Sequence, residues 1–87
     1  MRWIIALRPR AEKDLVRLGA ATARQVFEKL AWLEKHFDEI TPQRLSGTLS
    51  SYFKFRVGDY RVLYDFDVNR MIIRIFRIEH RSKVYNK

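Results

Sequence analysis

The sequence predicts an α+β fold in which two N-terminal helices pack on one face of a mainly antiparallel four-stranded sheet, in the order β-α-α-β-β-β. Three observations lead there. Residues 52–66, YFKFRVGDYRVLYDF, alternate in polarity about a Gly58-Asp59 turn, as a β-hairpin does. Residues 9–39 carry apolar side chains at spacings of three and four, the mark of amphipathic helices. Runs rich in β-branched and aromatic residues, RWIIAL and RMIIRIFRIE, stand before the helices and after the hairpin.

The first strand is expected over 2–7 and ends at Arg8-Pro9. Proline suits the start of a helix, where the first N–H groups lack intrahelical partners. A helix from Pro9 to Leu18 follows, with Ala11, Leu15 and Leu18 on one face and Glu12 and Asp14 near its positive end. Gly19 stops it. Thr22 is the expected cap of a second helix reaching Phe37 or Glu39, whose core stripe is Val26, Leu30, Leu33 and Phe37, widened by Ala23 and Phe27. Trp32 shares the outer stripe with Gln25, Lys29 and His36; it either lies across the flank of the helix pair or contacts a partner, and His36 is expected in solvent. Thr41-Pro42 closes the helical region. Ile40 to Ser51 reads as a polar connection without strands.

A two-residue turn at Gly58-Asp59 sets Val57 opposite Tyr60, Arg56 opposite Arg61, Phe55 opposite Val62 and Phe53 opposite Tyr64. One face then holds Phe53, Phe55, Val57, Tyr60, Val62, Tyr64 and Phe66, an apolar surface for the core. The other holds Tyr52, Lys54, Arg56, Arg61, Leu63 and Asp65. Like charges across a ladder repel, so this cationic cluster either meets a polyanion or splays into solvent. After a turn at Asp67-Val68-Asn69, the last strand runs from Arg70 to Glu79; alternation puts Arg74 and Arg77 on opposite faces, so at most one joins the cluster. The helices cover one face, and the cations are expected on the open one.

Composition narrows the function. One domain spanning 1–87 is expected, with an apolar fraction of 47% and twelve aromatic residues to build its core. Cysteine is absent, which removes disulfides and thiolate metal sites; His36 and His80 stand far apart without ligand spacing. No cofactor and no metal are expected. The run Trp3–Leu7 is too short for a signal-peptide core or a membrane span, so the chain reads as cytoplasmic with no membrane partner. The net charge is +8, of which residues 52–87 contribute +5. Such a surface favours phosphate backbones through counterion release.

The segments LSG at 45–47, YFKFRVGDYRVLYDF and IIRIFRIEHRSKVY, with the opening helix RPRAEKDLVRL, resemble the RelE/ParE superfamily of bacterial toxins, particularly its RelE-type branch. The resemblance covers essentially the whole chain. It implies the RelE-like fold already read from pattern, and a toxin of a type II toxin-antitoxin system. RelE-type members are metal-independent mRNA endonucleases that act in the ribosomal A site and are restrained by a RelB-like antitoxin. Carried over residue by residue, their paired basic positions before the turn match Lys54 and Arg56, and the arginine after the turn tyrosine matches Arg61. Their C-terminal arginine and tyrosine match Arg81 and Tyr85, with His80 competing for the former place. The second basic position is arginine here, a poorer proton carrier than lysine.

RNA is cut without metal when its own 2′-OH attacks the adjacent phosphate, giving a 2′,3′-cyclic phosphate and a 5′-hydroxyl. That reaction needs a base, charge stabilisation on the non-bridging oxygens, and an acid for the leaving oxygen. Arg56 and Arg61 can clamp the phosphate and Arg81 can add a third charge. Lys54 or Tyr85 can serve as base, since crowded cations favour loss of the proton from either; Tyr85 can instead stack on a base. His80 is either a proton carrier or a histidine hydrogen-bonded at the strand end. The competing readings are a ParE-like DNA gyrase inhibitor, a non-catalytic nucleic-acid-binding protein, and an inactive toxin retained for binding. The antitoxin is expected to be acidic, or to wrap the helices with an amphipathic segment and cover the basic face.

Overall fold

The computed structural model describes residues 2–47 and 51–82. In chain order the elements are β1 (Ile4–Leu7), α1 (Pro9–Leu18), α2 (Ala20–His36), a 3₁₀ turn (Phe37–Glu39), β2 (Gln43–Arg44), β3 (Phe53–Val57), β4 (Tyr60–Asp67) and β5 (Ile72–His80). The strands form one sheet in the order β1-β5-β4-β3-β2, antiparallel except for the outer pair β1 and β5. The sheet has five strands rather than the expected four. The additional one is β2, where Gln43 pairs with Lys54 and Arg44 with Phe53, and the Leu45 N–H donates to the Tyr52 carbonyl at 2.9 Å. Two exposed polar residues offer no period-two pattern, which is why the connection read as structureless.

The helices begin where local chemistry dictates. Proline opens α1 as expected. The chain turns between α1 and α2 on Gly19 alone, at φ 85°, a backbone conformation that side chains oppose. Helix α2 therefore starts at Ala20, ahead of Thr22, which lies inside the helix and does not cap it; the Ala23 N–H donates to the Gly19 carbonyl at 2.9 Å. Val26, Leu30, Leu33 and Phe37 of the expected stripe are all buried. Phe27, expected to widen it, is instead 52% exposed, because the stripe already fills the contact with the sheet.

The hairpin register is the one the turn predicted, with Arg56 facing Arg61 and Val57 facing Tyr60. Val57, Val62 and Tyr64 enter the core, with Phe53, Phe55, Tyr60 and Phe66 packed around them. Gly58 takes φ 58° in the turn. Strand β5 departs from simple alternation. Leu63 pairs with Arg77 but Tyr64 pairs with Ile75, so Phe76 is an extra residue and the strand is bulged. The bulge resets the phase, and Arg74 and Arg77 fall on one face, opposite Asp65 and Leu63, not on opposite faces. Neither is left to join a cationic cluster. Arg74 makes a two-pronged pair with Asp65 at 2.7 and 3.1 Å, and Arg77 pairs with Glu79.

Two carboxylates tie the layers together. Asp14 of α1 is only 5% exposed and accepts the Ile78 N–H at 2.9 Å and the Arg77 guanidinium at 3.3 Å, with Arg10 at 3.5 Å. Its place near the helix start suggested a dipole role; its real work is to satisfy a β5 backbone group beyond the end of β1. Glu34 of α2 accepts the Ile5 N–H at 2.7 Å, on the side of β1 turned away from β5. Among the described residues no helix is long and apolar enough to cross a membrane.

Candidate functional site

A groove of about 960 Å³ lies where the hairpin, the end of β5 and the side of α2 meet. The hairpin contributes Lys54, Arg56 and Arg61; β5 contributes its last residue, His80, and the turn after it contributes Arg81 and Ser82; α2 contributes Lys29 and Trp32. Phe55 and Tyr64, from the other alternation class of the same strands, also line it. The hairpin cations were expected on a face left open by the helices. They instead share their groove with the helical layer. Beyond Lys54 the outer edge of β3 has no neighbouring strand among the described residues.

Among the described residues five that line the groove are cationic, namely Lys29, Lys54, Arg56, Arg61 and Arg81, and none is acidic. A groove with that lining focuses a positive field and attracts polyanions. Lys54 and Arg56 are exposed on β3, and Arg61 is half-buried on β4 directly across from Arg56. Arg81 is held through its backbone, which donates to the Asp59 carbonyl at 2.8 Å; its guanidinium stands 3.8 Å from the exposed Asp59 carboxylate. That anchor sets Arg81 beside the hairpin turn while its side chain keeps access to solvent. Tyr85 lies outside the described residues. Four of the five sequence-derived positions therefore share one groove.

His80 is hydrogen-bonded at the strand end. Its Nδ1 accepts the Ser82 N–H at 3.1 Å and stands 2.9 Å from the Ser82 hydroxyl. With Nδ1 turned to Ser82, Nε2 is the ring nitrogen left for other partners. Among the described residues no cluster of His, Asp and Glu is arranged to hold a metal ion.

Sequence reasoning did not assign Lys29 and Tyr64 to the site. Lys29, Trp32 and His36 were legible as one stripe of α2, and they do interact: the Lys29 ammonium stands 5.0 Å from the Trp32 ring centroid and His36 stacks on the same indole at 4.6 Å. His36 is thus engaged with Trp32, and also with Glu39 at 3.2 Å, and is not merely solvated. That the stripe meets the hairpin is a tertiary fact without a local signature.

Tyr64 lines the groove from the core side and is 1% exposed. Burial pushes its hydroxyl up to about 12, so it stays protonated at neutral pH. The unfolded chain releases this proton near ~10. Between those values the unfolded state binds fewer protons than the folded one, and stability falls as pH rises. An upward shift of this size corresponds to about 2–3 kcal/mol lost by the top of the window. Thermal unfolding midpoints between pH 9 and 11.5 are expected to fall more steeply for the wild type than for Tyr64→Phe; parallel slopes would contradict the assignment.

Residues 5–85 match the profile of the ParE toxin of type II toxin-antitoxin system, parDE. The chain is similar to a solved chain of the RelBE2 toxin-antitoxin complex from Mycobacterium tuberculosis, at 25% identity over 92% of this chain and 99% of that one, with a TM-score of 0.81. It is also similar to a chain of the archaeal RelE-RelB complex from Pyrococcus horikoshii, at 25% identity over 97% and 100%, TM-score 0.71. The isolated RelE toxin of E. coli shares the fold at 17% identity over 97% and 88%, TM-score 0.72. No curated protein matches the chain by sequence.

Proposed function

The chain belongs to the ParE toxin family of type II toxin-antitoxin systems, within the RelE/ParE superfamily, and on that premise we propose that it is a metal-independent endoribonuclease that cuts mRNA in the ribosomal A site. The observation that carries the reading is the groove, which gathers Lys54, Arg56, Arg61 and Arg81 around one space with no acid among its described lining residues. A toxin that only docked on a protein would not need such a concentration of cations around a concave surface.

In this reading the phosphate lies between Arg56 and Arg61, whose directly opposed positions present two guanidinium groups to its non-bridging oxygens. Arg81 adds a third charge as the pentacoordinate phosphate forms. Lys54 or Tyr85 takes the proton from the 2′-OH. His80, whose Nε2 is not engaged by Ser82, hydrogen-bonds the leaving 5′-oxygen, which takes its proton from water. The products carry a 2′,3′-cyclic phosphate and a 5′-hydroxyl. The same charge makes binding sensitive to salt. With three to five phosphate contacts, affinity for single-stranded RNA is expected to fall roughly 20- to 100-fold between 50 and 200 mM salt; a flat salt dependence in a binding titration would sink the phosphate reading.

The restraining partner is proposed to be a RelB-like antitoxin, as accompanies the toxins in the mycobacterial and archaeal complexes. An apolar hollow between α1 and α2, flanked by the exposed side chains of Val16 and Phe27, suits the amphipathic segment expected of it. The family profile itself favours a second reading, inhibition of DNA gyrase in the manner of ParE. One experiment separates them. Purified protein is added to a defined translation system programmed with a single mRNA, and RNA ends are mapped with and without ribosomes. Cuts with 5′-hydroxyl ends that appear only with ribosomes support the nuclease. Intact mRNA, with loss of supercoiling by gyrase in a parallel reaction, supports the alternative.

A further inference from the structure

The helical wall of the groove carries chemistry that phosphate binding does not use. Trp32 projects from α2 into the groove and is 40% exposed, although an indole gains more from burial than almost any side chain. Its ring is nearly parallel to that of Phe55 on β3, with 16° between planes and 6.5 Å between centroids. Offset-stacked aromatic pairs have centroids about 4.5–7 Å apart, so the two rings form one continuous aromatic surface in the wall of the groove. Phe55 is flanked in sequence by Lys54 and Arg56, and Lys29 sits against Trp32, so cations border the ring pair on both elements.

We propose that Trp32 and Phe55 form a stacking platform for one nucleobase of single-stranded RNA, adjacent to the phosphate-binding cations. The inference deepens the RNA reading above and rests on it. Every base has a π-face, so the platform binds without hydrogen-bond readout and favours purines through their larger area. It also fixes direction: a base seated against α2 leaves its phosphate toward the hairpin, where Arg56 and Arg61 stand opposed. Trp32 is on this account a positioning residue, and its loss weakens binding without removing any group that handles a proton.

The test uses the full chain and an eight-nucleotide adenosine RNA with 2′-O-methyl groups throughout, which binds but cannot be cut. Trp3, the other tryptophan, is buried with its Nε1–H donating to Asp38 at 2.8 Å, so quenching on RNA addition reports on Trp32. Wild-type protein is expected to show quenching, and Trp32→Ala to bind roughly 5- to 150-fold more weakly. Trp32→Phe keeps an aromatic face and is expected to retain most of the affinity while losing the quench. Scanning one abasic nucleotide through the RNA should reveal a position that costs wild type the same factor and costs Trp32→Ala nothing further. Equal binding by wild type and Trp32→Ala, an abasic penalty undiminished in Trp32→Ala, or no binding at all overturns the platform. Trp32-dependent binding by a protein that leaves mRNA intact on the ribosome would remove the nuclease and keep the platform; ribosomal cleavage with Trp32-independent binding would do the reverse.

Discussion

Arg61→Ala is expected to lower mRNA cleavage at least ~100-fold while leaving the protein folded. Removing one preorganised donor from developing oxyanion charge costs about 10²–10³ in rate, and Arg61, on the eight-residue strand β4, is half-buried where the other described cations of the groove are exposed. The fold should tolerate the change. Glu79, cross-strand from Arg61, retains its pair with Arg77. Arg61→Lys separates two explanations, because it keeps the charge but loses the planar fork that grips two phosphate oxygens. If charge alone matters, Arg61→Lys recovers most of the activity; if bidentate geometry matters, it recovers little. The measurement is the rate of end formation in the translation system, with the unfolding midpoint as control. Full activity in folded Arg61→Ala removes this residue from the chemistry.

The largest effect on stability is expected at Asp14. Its carboxylate is nearly buried and meets one backbone N–H and two guanidinium groups. Asp14→Ala leaves the Ile78 N–H without its acceptor and Arg77 without one of its two acidic partners. Orphaning a buried N–H and losing charge-assisted hydrogen bonds cost about 1–3 kcal/mol each, together a large part of the roughly 5–15 kcal/mol that holds a small domain together. Asp14→Asn keeps an amide oxygen for the Ile78 N–H and should lose less, about 1–3 kcal/mol. Urea unfolding of the three proteins checks the order; an Asp14→Ala protein within about 0.5 kcal/mol of wild type would sink the argument.

Much of this architecture was legible in the residues. Gly58 and the alternation around it fixed a register, and Pro9 and Gly19 fixed both ends of α1, because each acts through its own backbone. The features that escaped are those whose cause lies elsewhere in the chain. A bulge at Phe76 adds one apolar residue to an apolar run and leaves no trace in polarity. Gln43 and Arg44 become a strand only because Phe53 and Lys54 offer them a partner. Asp14 acquires its role from a backbone group 64 residues away. The groove divides the same way. Its hairpin cations follow from the turn, whereas the approach of Lys29 and Trp32 depends on how α2 crosses the sheet.

The hydrogen bond from the Ile5 N–H to Glu34 bears on how the sheet can grow. A sheet edge recruits other chains through its unpaired N–H and C=O groups, and at β1 a carboxylate already occupies one of those donors. A chain adding there must first evict Glu34 and leave it without its partner. The opposite border is different: among the described residues no strand pairs with Phe55–Val57 on the side away from β4. Growth is therefore directed toward the side that carries Lys54 and Arg56. A protein that zips onto this border as a further strand would close the groove with main chain, and exclude RNA by occupancy even if it carried no charge of its own.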